Sequence, residues 1–210
     1  CRTGPTVMGR ELTIVDVGLG NLASAERALH QVGAAVTITS DPDVIATSRM
    51  LVFPGQGAFG PMTDDIVNGA IGAAVKMVIE RGDPFLGICL GMQLLFAGSA
   101  ESDGRVGLGI LPGRCQRFPT NMTEPGSDRP LKVPHMGWND VSPGGDHYYF
   151  VHSYYVPAQD CPDLMWSTTY GDVSLAAAVR RDNIYGCQFH PEKSQNAGLK
   201  LLRGFSPGGR

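Results

Sequence analysis

Cys89 stands between two glycines in "GICLG" (87–91), and ~100 residues downstream "FHPEKS" (189–194) sets His190 two positions before Glu192. A thiolate is a strong nucleophile, and an imidazole oriented by a carboxylate can carry its proton, so these three residue types suffice for thiol-based acyl transfer. The G-x-C-x-G spacing has the logic of a nucleophile elbow, a sharp strand-to-helix turn that raises the side chain above a sheet; Gly87 and Gly91 would allow the tight backbone and the close approach of a substrate. A helix starting at Leu90 would offer free N–H groups and the positive end of its dipole, with the Leu90 N–H as an oxyanion donor. In "HPE" the proline stops the preceding strand, and Glu192 can turn back onto the imidazole, fix its tautomer and leave the other ring nitrogen for the sulfur. Each signal alone has a plainer reading: a lone cysteine in an apolar run is commonly a small buried hydrophobe, and His-Pro-Glu commonly a turn.

The elements that must position these groups are legible as periodicity. Residues 11–17, "AAVTIT" (34–39), "RMLVFPG" (49–55) and "PFLGI" (84–88) read as strands, and 22–33 as a helix with Leu22, Ala25, Ala28 and Leu29 on one face. A long helix is expected between Thr63 and Arg81, stopped by Gly82. Strands alternating with helices at this spacing imply an α/β fold with a mostly parallel open sheet covered on both faces, and ligands in such sheets sit beyond the carboxyl ends of the strands, where Cys89 lies. From Val106 onward, short strand-like runs joined by Gly, Pro, Asp and Asn predict additional antiparallel strands, extending the same sheet or forming a small accessory one. Residues 194–205 read as a closing helix begun by Ser194.

Composition bounds the setting. The 210 residues are 42% hydrophobic and 18% charged, with a net charge of −3 and no basic stripe, which argues against nucleic acid as a partner. No apolar run approaches the ~20 residues of a bilayer span, so a soluble, cytoplasmic protein is expected. The five cysteines, Cys1, Cys89, Cys115, Cys161 and Cys187, have no C-x-x-C spacing, against both a disulfide framework and a zinc site. Of the five histidines, His30 and His147 read as solvated surface residues, while His135 and His152 receive no role. Residues 1–10 read as a disordered extension or cloning scar, with Met8 a candidate start, and 11–210 as one domain.

Together, "GICLGMQLL" and "FHPEKS" resemble the class I (triad-type) glutamine amidotransferases. "PGQGAF" (54–59), "VPHMGWN" (133–139) and "YYFVHSYY" (148–155) are similar to one branch in particular, the glutaminase subunits of imidazole glycerol phosphate synthases in histidine biosynthesis, over roughly Leu12 to Arg203. The resemblance implies that Cys89 attacks the side-chain amide of L-glutamine, that His190 carries the proton to departing ammonia, and that Glu192 orients His190. A cysteinyl thioester would then be hydrolysed to glutamate. Leu90 and the loop residues Gln56 and Gly57 would supply the oxyanion hole; the family usually has valine at the Gln56 position, which leaves open which loop N–H donates. Gln93, Glu101, Ser153, Tyr154 and Gly55 match substrate-contacting positions, although Glu101 in "SAESDG" reads equally as a solvated loop carboxylate.

The resemblance further implies a (βα)₈-barrel cyclase subunit as partner in a heterodimer, receiving ammonia through a dry channel, and no metal or organic cofactor. Met136, Trp138 and Asn139 match that interface, with core packing as the alternative for Trp138. Tyr149 and Lys193 match a gate at the channel mouth, and Asn21 and Arg27 match contacts that transmit cyclase occupancy. Two departures stand out: Asp16-Val17-Gly18 where the family has Asp-Tyr-Gly, and the "SPGGR" ending. The rival readings are a class I glutaminase serving another synthase and a non-catalytic regulatory module of the same fold.

Overall fold

A computed structural model describes residues 10–18 and 20–205. The readings of residues 1–9 and of the "SPGGR" ending lie outside the described residues. In chain order, β1 (Arg10–Val15) leads through α1 (Leu22–Gln31) to β2 (Ala34–Thr39), and α2 (Pro42–Thr47) leads to β3 (Leu51–Gly55). Next come α3 (Phe59–Met62), a π-turn over Thr63–Val67, α4 (Ala70–Glu80), β4 (Phe85–Cys89) and the single turn α5 (Leu90–Gln93). The second half carries β5 (Gly98–Ser99), β6 (Arg114–Arg117), β7 (His135–Asp140), β8 (His147–His152), β9 (Tyr154–Tyr155), β10 (Leu164–Tyr170), β11 (Val173–Arg181), β12 (Ile184–Cys187) and α6 (Gln195–Phe205).

The main sheet among the described residues has seven strands in the order β10-β11-β12-β4-β3-β1-β2. Its centre is parallel, as the alternation of strands and helices requires. Apolar residues on both faces of the strands follow from that burial: Phe85 joins one core layer, with Phe53, Phe59 and Val78, whereas Leu86 and Ile88 join the other, with Leu12, Leu29 and Phe189. β7 and β8 form a separate antiparallel ribbon, and β5, β6 and β9 a small second sheet. No helix among the described residues is long and apolar enough to cross a membrane.

Several expectations are corrected. The predicted helix from Thr63 to Arg81 is broken: Asn68 N–H donates to the Thr63 carbonyl in a π-turn, and Gly69, with ψ −172°, separates it from α4. Asn-Gly is a turn signal that the apolar periodicity around it masks. Gly82, at φ +87°, is the expected stop. α2, unpredicted, is capped by Asp41, which accepts from Asp43 N–H at 2.9 Å, with Pro42 in its first turn. β12 is antiparallel to β11 but parallel to β4, so the second half is not wholly antiparallel. Ser194 opens α6 through its carbonyl, which accepts from Gly198 N–H, while its hydroxyl is turned away to the His190 carbonyl.

Candidate active site

Strand order decides what surrounds Cys89. Within the parallel block, Gly55 pairs with Cys89 and Cys187 with Ile88, so β3, β4 and β12 end at one level. The loop after β3, starting at Gln56, and the segment Gln188–His190 after β12 therefore flank the cysteine from either side. Together with β8 and β9 they wall a cavity of about 370 Å³ lined by Cys89, Leu90, Gln56, Gly57, Gln93, Glu101, His152, Ser153, Tyr154, His190 and Lys193, with Pro134 and Val151 completing the wall.

The elbow is real and strained. Cys89 ends β4 at φ 54° and ψ −107°, a backbone geometry that L-residues rarely adopt and that marks functional turns. The flanking glycines serve packing of backbone on backbone, rather than access of substrate as expected, and neither lines the cavity. A β-carbon on Gly91 would lie 1.9 Å from the Phe53 carbonyl oxygen, and one on Gly87 would lie 2.5 Å from the Gly91 carbonyl oxygen. α5 is only four residues long, so its dipole is that of one turn, and Leu90, first in that turn, has an N–H with no partner within the helix.

His190 is held at both ends of its main chain. Its N–H donates to the Tyr149 carbonyl at 2.9 Å, and its own carbonyl accepts from the Ser194 hydroxyl at 2.6 Å. The 3-10 turn over Pro191–Lys193 folds Glu192 back, so that Glu192 Oε1 lies 2.7 Å from His190 Nδ1. The ring is 1% exposed, and its Nε2 is a buried nitrogen with no hydrogen-bond partner, as is the second Glu192 oxygen. Burial by itself pulls the imidazole pKa down, but the Cys89 sulfur and the Glu192 carboxylate outweigh it and hold the pKa up at about 10. The Cys89 sulfur, by hydrogen bonding and by charge, is thus the first neighbour that favours a protonated ring, with Glu192 the second.

The remaining named residues divide. Glu101 is half-buried at the cavity, and its Oε2 accepts from Phe59 N–H at 2.8 Å, so it is not a freely solvated carboxylate. Gly55 lies at the end of β3 and does not line the cavity; a β-carbon there would come 2.8 Å from Leu90 Cβ. Met136 and Trp138, at 61% and 48% exposure, project from the outer face of β7, which removes core packing as the account of Trp138. Trp138 meets Tyr149 edge-on across the ribbon, with ring centroids 6.1 Å apart. Asn21 caps α1 by accepting from Ser24 N–H, and Arg27 on the same helix borders a shallow hollow with Pro191 and Glu192; neither reaches the cavity. The four described cysteines are buried free thiols, and burial pushes the Cys187 thiol well above its usual range.

Sequence reasoning missed Gln188. Its Nε2 donates to Cys89 Sγ at 3.6 Å and its Oε1 accepts from Gln93 Nε2 at 3.0 Å, so a glutamine pair braces the sulfur from below. A polar residue between Cys187 and Phe189 was the available signal, but its direction depends on where β12 ends. His152 and Val151 were missed as well; the Val151 carbonyl lies 3.9 Å from the Cys89 sulfur.

A strained cysteine, a buried His-Glu pair and a pocket of this size are the parts that thiol-based acyl transfer on a small substrate would need. A family model described as glutamine amidotransferase class-I matches residues 13–205. The imidazole glycerol phosphate synthase subunit HisH of Salinibacter ruber is 46% identical over 205 residues, spanning 92% of this chain and 93% of its own. That of Syntrophotalea carbinolica is 44% identical over 92% of this chain and 98% of its own. A crystal structure of a glutamine amidotransferase superposes with a TM-score of 0.67 over 91% of this chain and 98% of that one at 18% identity, a likeness of fold. With the family pattern spanning the elbow, the cavity walls and the His-Glu turn, the chain belongs to the class-I glutamine amidotransferases.

Proposed function

We propose that the chain is the glutaminase subunit of an imidazole glycerol phosphate synthase, working in the cytoplasm and passing ammonia to a (βα)₈-barrel cyclase. The observation that carries the catalytic part is the unpaired, buried Nε2 of His190, backed by Glu192 at 2.7 Å and facing the same cavity as the strained Cys89. The Cys89 thiolate attacks the side-chain carbonyl carbon of L-glutamine, and the carbon-oxygen double bond opens to an oxyanion. The Leu90 N–H and an N–H of the Gln56–Gly57 loop stabilise that charge, an effect worth about 3–4 kcal/mol per donor. His190 gives its proton to the departing amide nitrogen, the C–N bond breaks, and ammonia leaves a thioester. Water, deprotonated by His190, hydrolyses the thioester to glutamate and restores the thiolate.

Glu101 receives the substrate's α-ammonium, Ser153 and Tyr154 hold its carboxylate end with Gly55 close by behind Leu90, and Gln93 contacts the substrate. A charge-assisted pair at Glu101 favours free glutamine over peptide amides. Ammonia released to water would be protonated and lost as a nucleophile, so a docked acceptor subunit is required. Met136, Trp138 and Asn139 form the docking surface, with Trp138 as its aromatic anchor, Tyr149 and Lys193 gate the channel, and Asn21 and Arg27 on α1 relay cyclase occupancy. The names and 44–46% identity of the relatives support this partner.

The test is glutamate release from glutamine by the chain alone and with a cyclase plus its ribonucleotide ligand, with Cys89→Ala as control. Stimulation by the liganded cyclase that vanishes in Cys89→Ala is expected. Activity surviving in Cys89→Ala would overturn the nucleophile, and Cys89-dependent activity indifferent to the cyclase would point to another synthase.

A further inference from the structure

Two buried histidines stand outside the Cys-His-Glu line. His135 on β7 and His152 on β8 are register partners in the ribbon, are 3% and 6% exposed, and meet with His135 Nδ1 3.2 Å from His152 Nε2. The His135 ring is stacked between Tyr170 and Phe150, at centroid distances of 4.1 and 4.8 Å.

The polarity of this pair is determined from main-chain groups. Asn139 cannot be turned over, because its Oδ1 accepts from the Asp140 N–H at 3.0 Å and its Nδ2 donates to the Thr169 carbonyl at 2.8 Å. The second Asn139 N–H therefore faces His135 Nε2 at 3.3 Å, which must be a bare acceptor. The His135 proton then sits on Nδ1 and is donated to His152 Nε2. His152 in turn carries its proton on Nδ1 and donates it to the Tyr154 carbonyl at 2.8 Å. Both rings are neutral and both are Nδ1–H tautomers. Desolvation acts in the same sense, drawing the pKa of His135 down to about 4 and that of His152, beside His135 and His190, down to about 3.

The inner end of this line enters the cavity. The Tyr154 carbonyl also accepts from Gln93 Nε2 at 3.0 Å, the other Gln93 N–H goes to Gln188 Oε1, and Gln188 Nε2 reaches the Cys89 sulfur. With both N–H groups of Gln93 engaged, its Oε1 is the atom presented to a substrate. An unbroken line of hydrogen bonds thus runs from Asn139, next to Trp138 on β7, to Cys89.

We propose that His135 and His152 are positioning residues for glutamine: a relay of fixed polarity that holds the Tyr154 carbonyl and the Gln93 amide in register with Cys89, and ties that register to β7. This rests on the glutaminase reading above. Without the relay the Tyr154 carbonyl loses one of its two donors, and the Gln93 amide loses the constraint on which of its atoms meets the substrate.

The first test uses the unaltered protein. Nitrogen-15 NMR of the imidazole rings should give two neutral Nδ1–H histidines that do not titrate between about pH 8 and about pH 5.5, where a free histidine would. The second is kinetic. His152→Asn keeps an N–H for the Tyr154 carbonyl, whereas His152→Phe keeps only bulk. His152→Phe should raise KM for glutamine about tenfold with a smaller change in kcat, and His152→Asn should recover most of that loss. An Nε2–H tautomer in either ring would overturn the relay. So would a folded His152→Phe with wild-type KM, or equal KM in the two variants at equal Tm. No glutamate release from glutamine, alone or with the liganded cyclase, would instead sink the glutaminase reading and leave the tautomer assignment standing.

Discussion

Replacing Cys89 by glycine should make the protein more stable than replacing it by alanine, the reverse of the usual order. At φ 54° and ψ −107° the residue lies outside even the left-handed helical well, and a β-carbon there costs about 1–3 kcal/mol, here taken in the upper half of that range. Alanine keeps the β-carbon and the strain; glycine releases it. Against this, glycine gains about 0.5–1 kcal/mol more conformational entropy in the unfolded chain than alanine does. Both variants lose the sulfur, so its packing and its contact with Gln188 cancel in the comparison. The balance favours glycine by about 1–2 kcal/mol, or about 3–6 °C in Tm for a chain of this size. Paired thermal and urea melts of Cys89→Gly and Cys89→Ala measure it, both variants being inactive. A glycine variant less stable than the alanine variant by the ordinary ~1 kcal/mol would mean that the elbow stores no strain.

Three further outcomes are expected. Stability should peak near neutrality: below about pH 6.5 the unfolded chain protonates His135 and His152 while the folded chain keeps them neutral down to about 4 and about 3, so stability falls with acid by about 1.4 kcal/mol per pH unit for each. His190 acts oppositely, its stabilisation being complete below about pH 6.5 and lost as pH rises toward about 10; a urea midpoint that is flat from about pH 5 to about pH 9 would refute both signs. Glu192→Gln keeps an oxygen for His190 Nδ1 but removes the charge, so the imidazole pKa should fall and kcat should drop about 10–100-fold, read by NMR titration and glutamate release. Trp138→Ala should leave the Tm within about 1 °C but weaken cyclase binding about 30-fold by calorimetry, because the ring is half exposed and its loss opens no core cavity.

The candidate site was legible where its parts are close in sequence. The elbow announces itself because Gly87 and Gly91 must let backbone pass within contact of backbone, and the His190-Glu192 contact spans two residues, so one turn completes it. The alternation of apolar strands with amphipathic helices was equally visible, since burial on both sheet faces leaves a periodic trace. The broken helix at Asn68–Gly69 was misread because apolar periodicity continues across a break that two turn-forming residues make. Gln188, His135 and His152 were unreadable: the contact of Gln188 with Cys89 spans 99 residues and that of His135 with His152 spans 17, so neither is written in a local stretch.

What the sequence determined by itself was the local chemistry: a thiol on a tight turn, an imidazole with its carboxylate, and strands enough to hold them. What only the tertiary structure decided was which of these meet. The order β12-β4-β3, with Gly55 opposite Cys89 and Cys187 opposite Ile88, brings His190 and the Gln56–Gly57 loop to the Cys89 thiol. The ribbon register opposing His135 to His152 builds the buried relay, and the parallel direction of β12 follows from its seat beside β4. The physical reason is that strand order and register emerge from closing long loops around two apolar layers at once, a many-body packing outcome that no stretch of neighbouring residues contains.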